Sequence, residues 1–232
     1  MDKLVKTIEI TKRTTRKINN KASSLEFVHG DLYSVALEVA SKWVSKSESR
    51  PMLTYAQHTE DGDIVATDSH RMIRVRGIHS FKEEYLVNPK NFTFAKGMYP
   101  DVERLAGREN HTEAIILSKE HIKVWLQLFK SMNQTLRIMK DRLGVAKMHF
   151  KENHVEIELS VHKIIIQLPH EVYQKPEMNA ISFNVEYMRD ALEAHFKLNS
   201  EQLTFYFQGK MRPFIMDDDE AVMTLVLPVR TY

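Results

Sequence analysis

One local pattern occurs three times in the chain and limits what it can fold into. A short apolar strand is followed by a polar residue of the kind that caps helices, and then by an amphipathic helix. The strands are residues 25–28, 114–117 and 180–183, and the capping residues are Asp31, Ser118 and Asn184. Because each helix is apolar on one side only, each must cover a flat apolar surface such as a sheet.

The apolar positions of the three predicted helices recur at helical spacing, with polar residues on the opposite side. The apolar faces comprise Leu32, Val35, Ala36, Val39 and Trp43 in the first helix, Ile122, Trp125, Leu126, Phe129 and Met132 in the second, and Val185, Met188, Ala191, Leu192 and His195 or Phe196 in the third. These faces are the predicted contacts with the core.

Short alternating or β-branched runs between the helices predict strands. They cover residues 64–66, 73–75, 145–150, 155–159, 163–168, 203–207, 214–216 and 222–229. Turn-forming residues separate them at 60–63, 151–153 and 208–210. Strands in series joined by tight turns form antiparallel sheet, so the predicted fold class is α+β.

The 232 residues allow one large domain or two of ordinary size. The helix starts at Ser118 and Asn184 lie about 66 residues apart, which suggests a unit used twice from residue 113 to 232. Residues 25–112 begin the same way and form a shorter first domain. Residues 1–24 carry seven cations against Asp2 and Glu9 and include a possible strand at 4–10. This basic arm is either a solvated terminus or a phosphate contact.

Composition excludes several classes of function. The chain has no cysteine, so disulfides, thiolate metal sites and cysteine nucleophiles are excluded. It has 33 Lys and Arg against 31 Asp and Glu, a formal charge of +2, which argues against holding nucleic acid by charge alone. No apolar run or leader pattern suggests a membrane segment or signal peptide, so we expect a cytoplasmic protein.

Four motifs occur in order along the chain. They are Ile64–Met72, with a Thr-Asp-Ser-His-Arg turn between apolar strands, Tyr99–Leu105, Phe183–Leu192 and the terminal Leu225–Arg230. Together they resemble the sliding clamp of bacterial replication, the beta subunit of DNA polymerase III. That family carries an Ala-Thr-Asp-Gly-His-Arg-Leu turn in its middle domain and ends in Met-Pro-Met/Val-Arg.

The resemblance implies the DNA-clamp (processivity-factor) fold, with antiparallel sheets and two helices per domain, residues 25–112 matching a shortened middle domain and 113–232 the last domain. It also implies a pocket that grips short linear peptides of polymerases and clamp loaders. Carried over by motif, the pocket residues are Arg50, Leu53, Thr67, Ser69, His70, Arg71, Met72, Pro100, Leu105, Leu225, Leu227, Pro228, Val229 and Arg230. Arg50 and Leu53 are placed on a strand that follows the first helix. The aliphatic members would hold Leu and Phe anchors, and the basic members would hold polar groups at the rim.

A clamp ring holds duplex DNA through nonspecific phosphate contacts that permit sliding. The candidate cations are Lys42, Lys46, Lys123, Lys130, Arg137, Lys140, Arg189 and Lys197. Six domains from two-domain chains would need three subunits, so we expect a homotrimer if a ring closes. The predicted function is a noncatalytic processivity factor that tethers partners. The alternative is a monomeric adaptor or decoy that binds the same peptides without encircling DNA.

Departures from the family pattern bear on this interpretation. One domain of the usual three is missing, which suggests a phage or mobile-element protein. Ser69 stands where the family has glycine, and it fits the turn only if its backbone avoids the region that glycine alone tolerates. The chain continues to Tyr232, whose side chain could cover the pocket.

Other chemistries are weaker interpretations. Residues 67–70 contain the residue types of a nucleophilic triad, but neighbours along a turn cannot align as one. Residues 217–220 could bind a cation, but a solvated hairpin tip is the better interpretation of this acidic run. His149, His154 and His162 lack a metal-site spacing. We therefore predict no enzyme activity, metal or cofactor, with a metal-dependent or hydrolytic enzyme as a third hypothesis.

Overall fold

The computed structural model describes residues 27–47, 49–102, 104, 107–108, 111–159 and 162–230. They divide between two compact units. The first unit comprises the described residues of Met1–Asp68 together with Arg74–Tyr99, and the second comprises Ser69–Ile73 and those of Pro100–Tyr232. The predicted basic arm, with its possible strand at 4–10, lies outside the described residues, as do Leu105 and Tyr232.

The first unit is a small antiparallel sheet with one α-helix among its described residues. The helix is α1 (Tyr33–Ala40), and the strands are β1 (Ala56–His58), β2 (Ile64–Thr67), the end of β3 (Arg71–Val75), β4 (Tyr85–Val87) and β5 (Phe94–Ala95). Strands pair in the order β2-β1-β4-β5, each pair antiparallel.

Most of the predicted apolar face of α1 is confirmed as part of the core of the first unit. Ala36, Val39 and Trp43 are buried, while Leu32 and Val35 are half-buried. Two local predictions are wrong. The helix is capped at Leu32 without a side-chain bond, so Asp31 is not the cap. Residues 51–54 form a 3-10 turn rather than a strand, with a proline at its first position, where the missing N–H costs nothing.

The part of the second unit that the structure describes contains two helices of more than ten residues and two series of paired strands. The helices are α2 (Lys119–Ile138) and α3 (Val185–Lys197). The strands are β6 (Thr112–Ser118), β7 (Val145–Phe150), β8 (Val155–Leu159), β9 (Ile164–Leu168), β10 (Val172–Tyr173), β11 (Ala180–Asn184), β12 (Gln202–Phe207), β13 (Phe214–Asp217) and β14 (Val222–Val226). They pair antiparallel in the orders β10-β6-β12-β13-β14 and β11-β7-β8-β9, which confirms the α+β class.

Aromatic side chains join the helices of the second unit to its sheets. The ring centroids of Trp125 and Phe205 are 5.3 Å apart, and those of Phe129 and Phe183 are 6.0 Å apart. Every predicted apolar position of α2 is buried. On α3 the choice between two residues is settled, because His195 is fully buried and Phe196 is 39% exposed.

The starts of α2 and α3 lie at the predicted caps but differ in chemistry. The side-chain oxygen of Asn184 accepts hydrogen bonds from the amides of Glu186 (2.8 Å) and Tyr187 (3.3 Å). Ser118 precedes α2 without such a bond, and its hydroxyl instead lies 3.1 Å from Nδ1 of His121. Neither these helices nor any other in the described residues is long and apolar enough to cross a membrane.

Candidate functional site

The predicted pocket residues fall in both units. Arg50, Leu53 and Thr67 belong to the first unit. The second unit holds the rest of those described, namely Ser69, His70, Arg71, Met72, Pro100, Leu225, Leu227, Pro228, Val229 and Arg230. In the second unit two of these stretches are in direct contact, and the geometry given below concerns them.

The segment after β14 is held by backbone hydrogen bonds at two points. The amide of Leu227 donates to the carbonyl of His70 at 2.9 Å, and the amide of Val229 donates to the carbonyl of Ser182 at 2.8 Å. Residues 227–229 are half-buried and Arg230 is exposed. The terminal motif is therefore fixed beside the start of β3 on one side and beside β11 on the other.

Tyr187, in the first turn of α3, completes this surface although the sequence analysis did not select it. Its ring centroid lies 6.4 Å from that of His70, and the guanidinium carbon of Arg71 lies 4.4 Å from the same ring. A guanidinium over an aromatic face is an attractive cation–π contact. We call the group His70, Arg71, Tyr187, Leu227 and Val229 the His70 surface.

A buried ion pair holds Arg71, a member of the His70 surface, in position. Nη1 of Arg71 donates to Oδ2 of Asp190 at 2.7 Å, and the two side chains are 8% and 3% exposed. The other oxygen of Asp190 accepts from Nη2 and Nε of Arg189 at 2.6 and 3.0 Å. One carboxylate of α3 thus pairs with two guanidinium groups, and each of its oxygens is hydrogen-bonded, as a buried charge requires.

Electrostatics at Arg189 follow from that arrangement. Burial is the largest single influence and lowers the pKa of the guanidinium, but hydrogen bonds and charge from Asp190 and Glu186 together raise the pKa above its ordinary value. Arg189 therefore stays charged and acts as a structural partner of Asp190.

Ser69 has a positive backbone φ. Its φ is 77°, in the left-handed region, which favours glycine but which other residues adopt at a cost. A serine in it carries a conformational cost of roughly 1–2 kcal/mol.

Several predicted pocket residues are core residues in the structure. Met72 and Leu225 are each 2% exposed in the second unit, and Leu53 is 5% exposed in the first. Their role in holding a peptide stays a prediction. Arg50 and Pro100 are exposed.

Thr67 is also buried, and its amide donates to the hydroxyl of Tyr99 at 3.1 Å. Burial is the main cause that raises the pKa of the Tyr99 phenol. Tyr99 is therefore a neutral anchor for the end of β2.

The chemistry of the His70 surface suits binding rather than catalysis. Leu227, Pro228 and Val229 offer half-buried apolar area. His70, whose carbonyl accepts from the amide of Leu227, and Arg230, which follows Val229, are both exposed. Apolar anchors surrounded by polar groups are the composition of peptide-binding sites.

The cations predicted to face DNA are spread over both units. Lys123, Lys130 and Arg137 are exposed on α2 and follow one another at seven-residue intervals, which keeps them near one side of the helix. Lys140 is exposed just after α2, and Lys42 and Lys46 are exposed in the first unit. On α3, Arg189 pairs as described and Nζ of Lys197 lies 3.2 Å from Glu193. Contact with DNA remains a prediction for all of them.

The acidic run at 217–220 joins β13 to β14, and Asp219 and Glu220 are exposed there as predicted, but Asp217 is not part of a solvated tip. Asp217 is fully buried and pairs with Arg108, which also donates to Asp219 at 2.5 Å. One oxygen of Asp218 accepts from the amides of residues 220–222. These carboxylates therefore fold the hairpin and bind the segment that precedes β6.

The histidines weighed as metal ligands pair with carboxylates instead. Nε2 of His149 lies 2.6 Å from Glu158, and Nε2 of His154 lies 2.9 Å from Glu156. The hydrogen bond from His154 is the main cause that lowers the pKa of Glu156. Within the described ranges, no group of three or more His, Asp or Glu side chains could hold a metal ion.

Comparison with known proteins agrees with the motifs. The chain is 29% identical over 177 residues to the beta sliding clamp of Bacillus subtilis, which covers 73% of this chain and 41% of that protein. It is 26% identical over 237 residues to the beta sliding clamp of Staphylococcus aureus N315, covering 82% of this chain and 59% of that one. The chain thus spans between two fifths and three fifths of the length of these relatives. No protein-family model matches it.

Solved structures extend the similarity to the fold. The sliding clamp of B. subtilis superimposes with a TM-score of 0.70 at 22% identity, over 96% of this chain and 68% of that one. The polymerase beta subunit of Streptococcus pyogenes gives 0.71 at 21% identity, over 95% and 70%. A Helicobacter pylori beta clamp bound to a DNA ligase peptide gives 0.64 at 16% identity, over 88% and 64%.

The fold is therefore the sliding-clamp fold, with antiparallel sheets and helices on them. Within that class, the chain resembles the bacterial beta sliding clamp, the beta subunit of DNA polymerase III, in both sequence and structure. The resemblance drawn from the four motifs is confirmed.

Proposed function

We propose that the chain is a noncatalytic, clamp-like replication processivity factor that tethers partner proteins through the His70 surface. The observation that carries the proposal is the joining of three separate motifs in one unit. Residues 69–72, the first turns of α3 and residues 227–230 are connected by the bond from Leu227 to His70, the contact of Arg71 with Tyr187 and the ion pair of Arg71 with Asp190.

The partners would be short linear peptides with apolar anchors, such as those of polymerases and clamp loaders. The structural neighbour from H. pylori, which is bound to a DNA ligase peptide, supports this class of partner. Leu227 and Val229 would receive the anchors, while His70 and Arg230 would bind the polar groups of the peptide. Tyr187 joins these residues in the proposal.

The proposed second activity is nonspecific contact with duplex DNA through Lys123, Lys130 and the other predicted cations, in a cytoplasmic complex. It is tested by loading the protein on circular DNA and then linearising the DNA. A closed ring is lost when the DNA is cut and remains on the intact circle at high salt, because its retention is topological. Equal, salt-sensitive loss from both DNAs would contradict encirclement.

Oligomeric state separates this function from the adaptor alternative. Light scattering at high protein concentration should give the mass of a trimer if three two-domain chains close a ring. A monomer that still binds clamp-type peptides would support the adaptor. A protein that binds neither peptide nor DNA would contradict both functions.

A further inference from the structure

Four polar side chains of the second unit form a hydrogen-bonded chain, and none of them belongs to the His70 surface. His195 lies in the last turn of α3, Ser200 follows that helix, and Thr224 is on β14. All three are buried. The fourth, Asp218, lies between β13 and β14. We call these four residues the His195 network.

The hydrogen bonds of the network have a fixed direction. Nδ1 of His195 lies 3.1 Å from Oγ of Ser200, and that hydroxyl donates to Oδ2 of Asp218 at 2.6 Å. A serine hydroxyl has one hydrogen to donate, and an ionised carboxylate only accepts. Oγ of Ser200 must therefore accept from His195, which requires a proton on Nδ1.

The other side of the imidazole ring faces β14. Nε2 of His195 lies 3.3 Å from Oγ1 of Thr224, a hydroxyl that also lies 3.5 Å from the carbonyl oxygen of Met216. Oδ1 of Asp218 accepts from the amides of residues 220–222. The network therefore joins the end of α3 to β14 and to the turn that precedes β14.

Serine, histidine and aspartate are the residue types of a nucleophilic triad, but their order here excludes that chemistry. In a triad the imidazole takes the proton of the serine hydroxyl. Here the imidazole donates to the hydroxyl of Ser200, and Asp218 contacts the serine instead of the histidine. The arrangement suits the positioning of secondary structure.

The two elements joined by the network carry two different parts of the His70 surface. Tyr187 lies in the first turn of α3, and β14 leads directly into Leu227. At its start α3 is held by the ion pair of Asp190 with Arg71, whose neighbour His70 accepts the amide of Leu227. At its end α3 packs on β14 through His195 and Thr224.

We propose that the His195 network positions β14 against α3 and thereby sets the spacing of Tyr187 and Leu227 on the His70 surface, with a proton on Nδ1 of His195. His195, Ser200 and Thr224 are positioning residues that do not touch the peptide. Supporting hydrogen bonds of this kind hold the residues of a binding site in a productive geometry. The positioning role rests on the proposed peptide binding, whereas the proton position does not.

Nuclear magnetic resonance tests the proton position without a peptide. The full chain is labelled with 15N-histidine, and the ring signals of His195, assigned through its backbone, are recorded in a long-range 1H–15N correlation spectrum at neutral pH. We expect Nδ1 to resonate as a nitrogen that carries a proton. A bare Nδ1 with the proton on Nε2 would overturn the assigned direction.

Peptide affinity tests the positioning role. A fluorescent peptide with Leu and Phe anchors is titrated with wild type, Thr224→Val and Thr224→Ser. Valine keeps the shape of threonine without the hydroxyl and should weaken binding about threefold to tenfold, whereas serine keeps the hydroxyl and should bind like wild type. Ser200→Ala should weaken binding by a similar factor. The control, Ile157→Val, shortens a buried side chain on β8 of the same unit. It should lower the urea midpoint of unfolding without changing the affinity.

Three results would overturn the positioning role. The first is equal affinity of wild type, Thr224→Val and Ser200→Ala, and the second is an equal loss in Ile157→Val, which would make the effect one of general stability. The third is a folded wild-type protein that binds no peptide, which would contradict the proposed function as well. In that case the spectrum of His195 would still decide the proton position.

Discussion

Arg71 and Asp190 are 119 residues apart in sequence, and their side chains meet at 2.7 Å inside the second unit. The contact ties the turn that carries Ser69 and His70 to the helix that carries Tyr187. A buried pair of this kind is costly to break from one side, because the remaining charge stays in a poorly solvated place. The geometry of the His70 surface therefore depends on a carboxylate that contributes little to it directly.

Replacing Asp190 with Asn should destabilise the second unit by roughly 3–5 kcal/mol. Trp125 is buried there and Trp43 in the first unit, so a Trp43→Phe background makes fluorescence report on the second unit alone. Urea unfolding in this background gives the free energy of unfolding. The matched control, Glu193→Gln, removes the carboxylate that pairs with Lys197. It should lower the free energy of unfolding by less than about 1 kcal/mol. Equal effects of the two variants would contradict the assigned role of Asp190.

Ser69→Gly should stabilise the protein by about 1 kcal/mol, because glycine adopts a φ of 77° without the clash that a Cβ atom brings. The control is Ser80→Gly, an exposed serine that is not among the residues with positive φ. It should be neutral or destabilising, since glycine gains entropy in the unfolded chain. Thermal unfolding of both variants checks the prediction, and a loss of stability in Ser69→Gly would contradict it.

The two helix caps predict a difference between similar substitutions. Asn184→Ala removes two bonds to backbone amides and should cost roughly 0.5–2 kcal/mol. Ser118→Ala removes no such bond and should cost less than about 0.5 kcal/mol. Urea unfolding followed by Trp125 fluorescence measures both. A larger loss for Ser118→Ala would show that the cap assignments are wrong.

The first unit should lose stability in mild acid because of His58. This residue is fully buried, and its Nε2 lies 3.1 Å from the hydroxyl of Tyr33. Burial first, and then the charge of His79, lower the pKa of His58 from 6.5 to about 4. The unfolded chain therefore takes up a proton near pH 6.5 that the folded unit binds only near pH 4, so stability falls as the pH drops through that window. The full loss is about 3 kcal/mol.

Unfolding of a Trp125→Phe variant, in which Trp43 reports on the first unit, gives the pH dependence. His58→Gln keeps a hydrogen-bonding side chain without titrating, so its stability should change less between about pH 7 and about pH 4.5. A smaller dependence remains from His79, whose pKa is also lowered, mainly by burial. Identical pH profiles for wild type and His58→Gln would rule out His58 as the cause.

Local sequence patterns were enough to predict most of the helices and strands. The apolar faces of α2 and α3, for example, depend only on the spacing of residues within one helix. These patterns did not predict the conformation of residues 51–54, which were placed on a strand but form a 3-10 turn that begins with a proline. They also failed at Asp217, whose burial depends on Arg108, a partner 109 residues away.

The candidate site shows the same limit. Motifs selected His70, Arg71 and Leu227 from the sequence, and the structure brings their segments together. Tyr187 and Asp190 lay inside a motif but carried no local signal of their role. Asp190 lies four residues after Glu186 and three before Glu193, on the polar side of the predicted helix, so its spacing alone does not indicate that it is buried. Its burial and its pairing with Arg71 depend on the tertiary fold.

Peptide binding is the most direct test of the central claim, that the His70 surface captures linear peptides. A fluorescein-labelled peptide with a Gln followed by Leu and Phe anchors is titrated with wild type, Leu227→Ala, Tyr187→Ala and the control Val124→Ala, an exposed apolar residue on α2. The account predicts saturable binding that Leu227→Ala and Tyr187→Ala each weaken about tenfold or more, with Val124→Ala unchanged. No binding by the folded wild-type protein, or equal affinity for all four proteins, would contradict it.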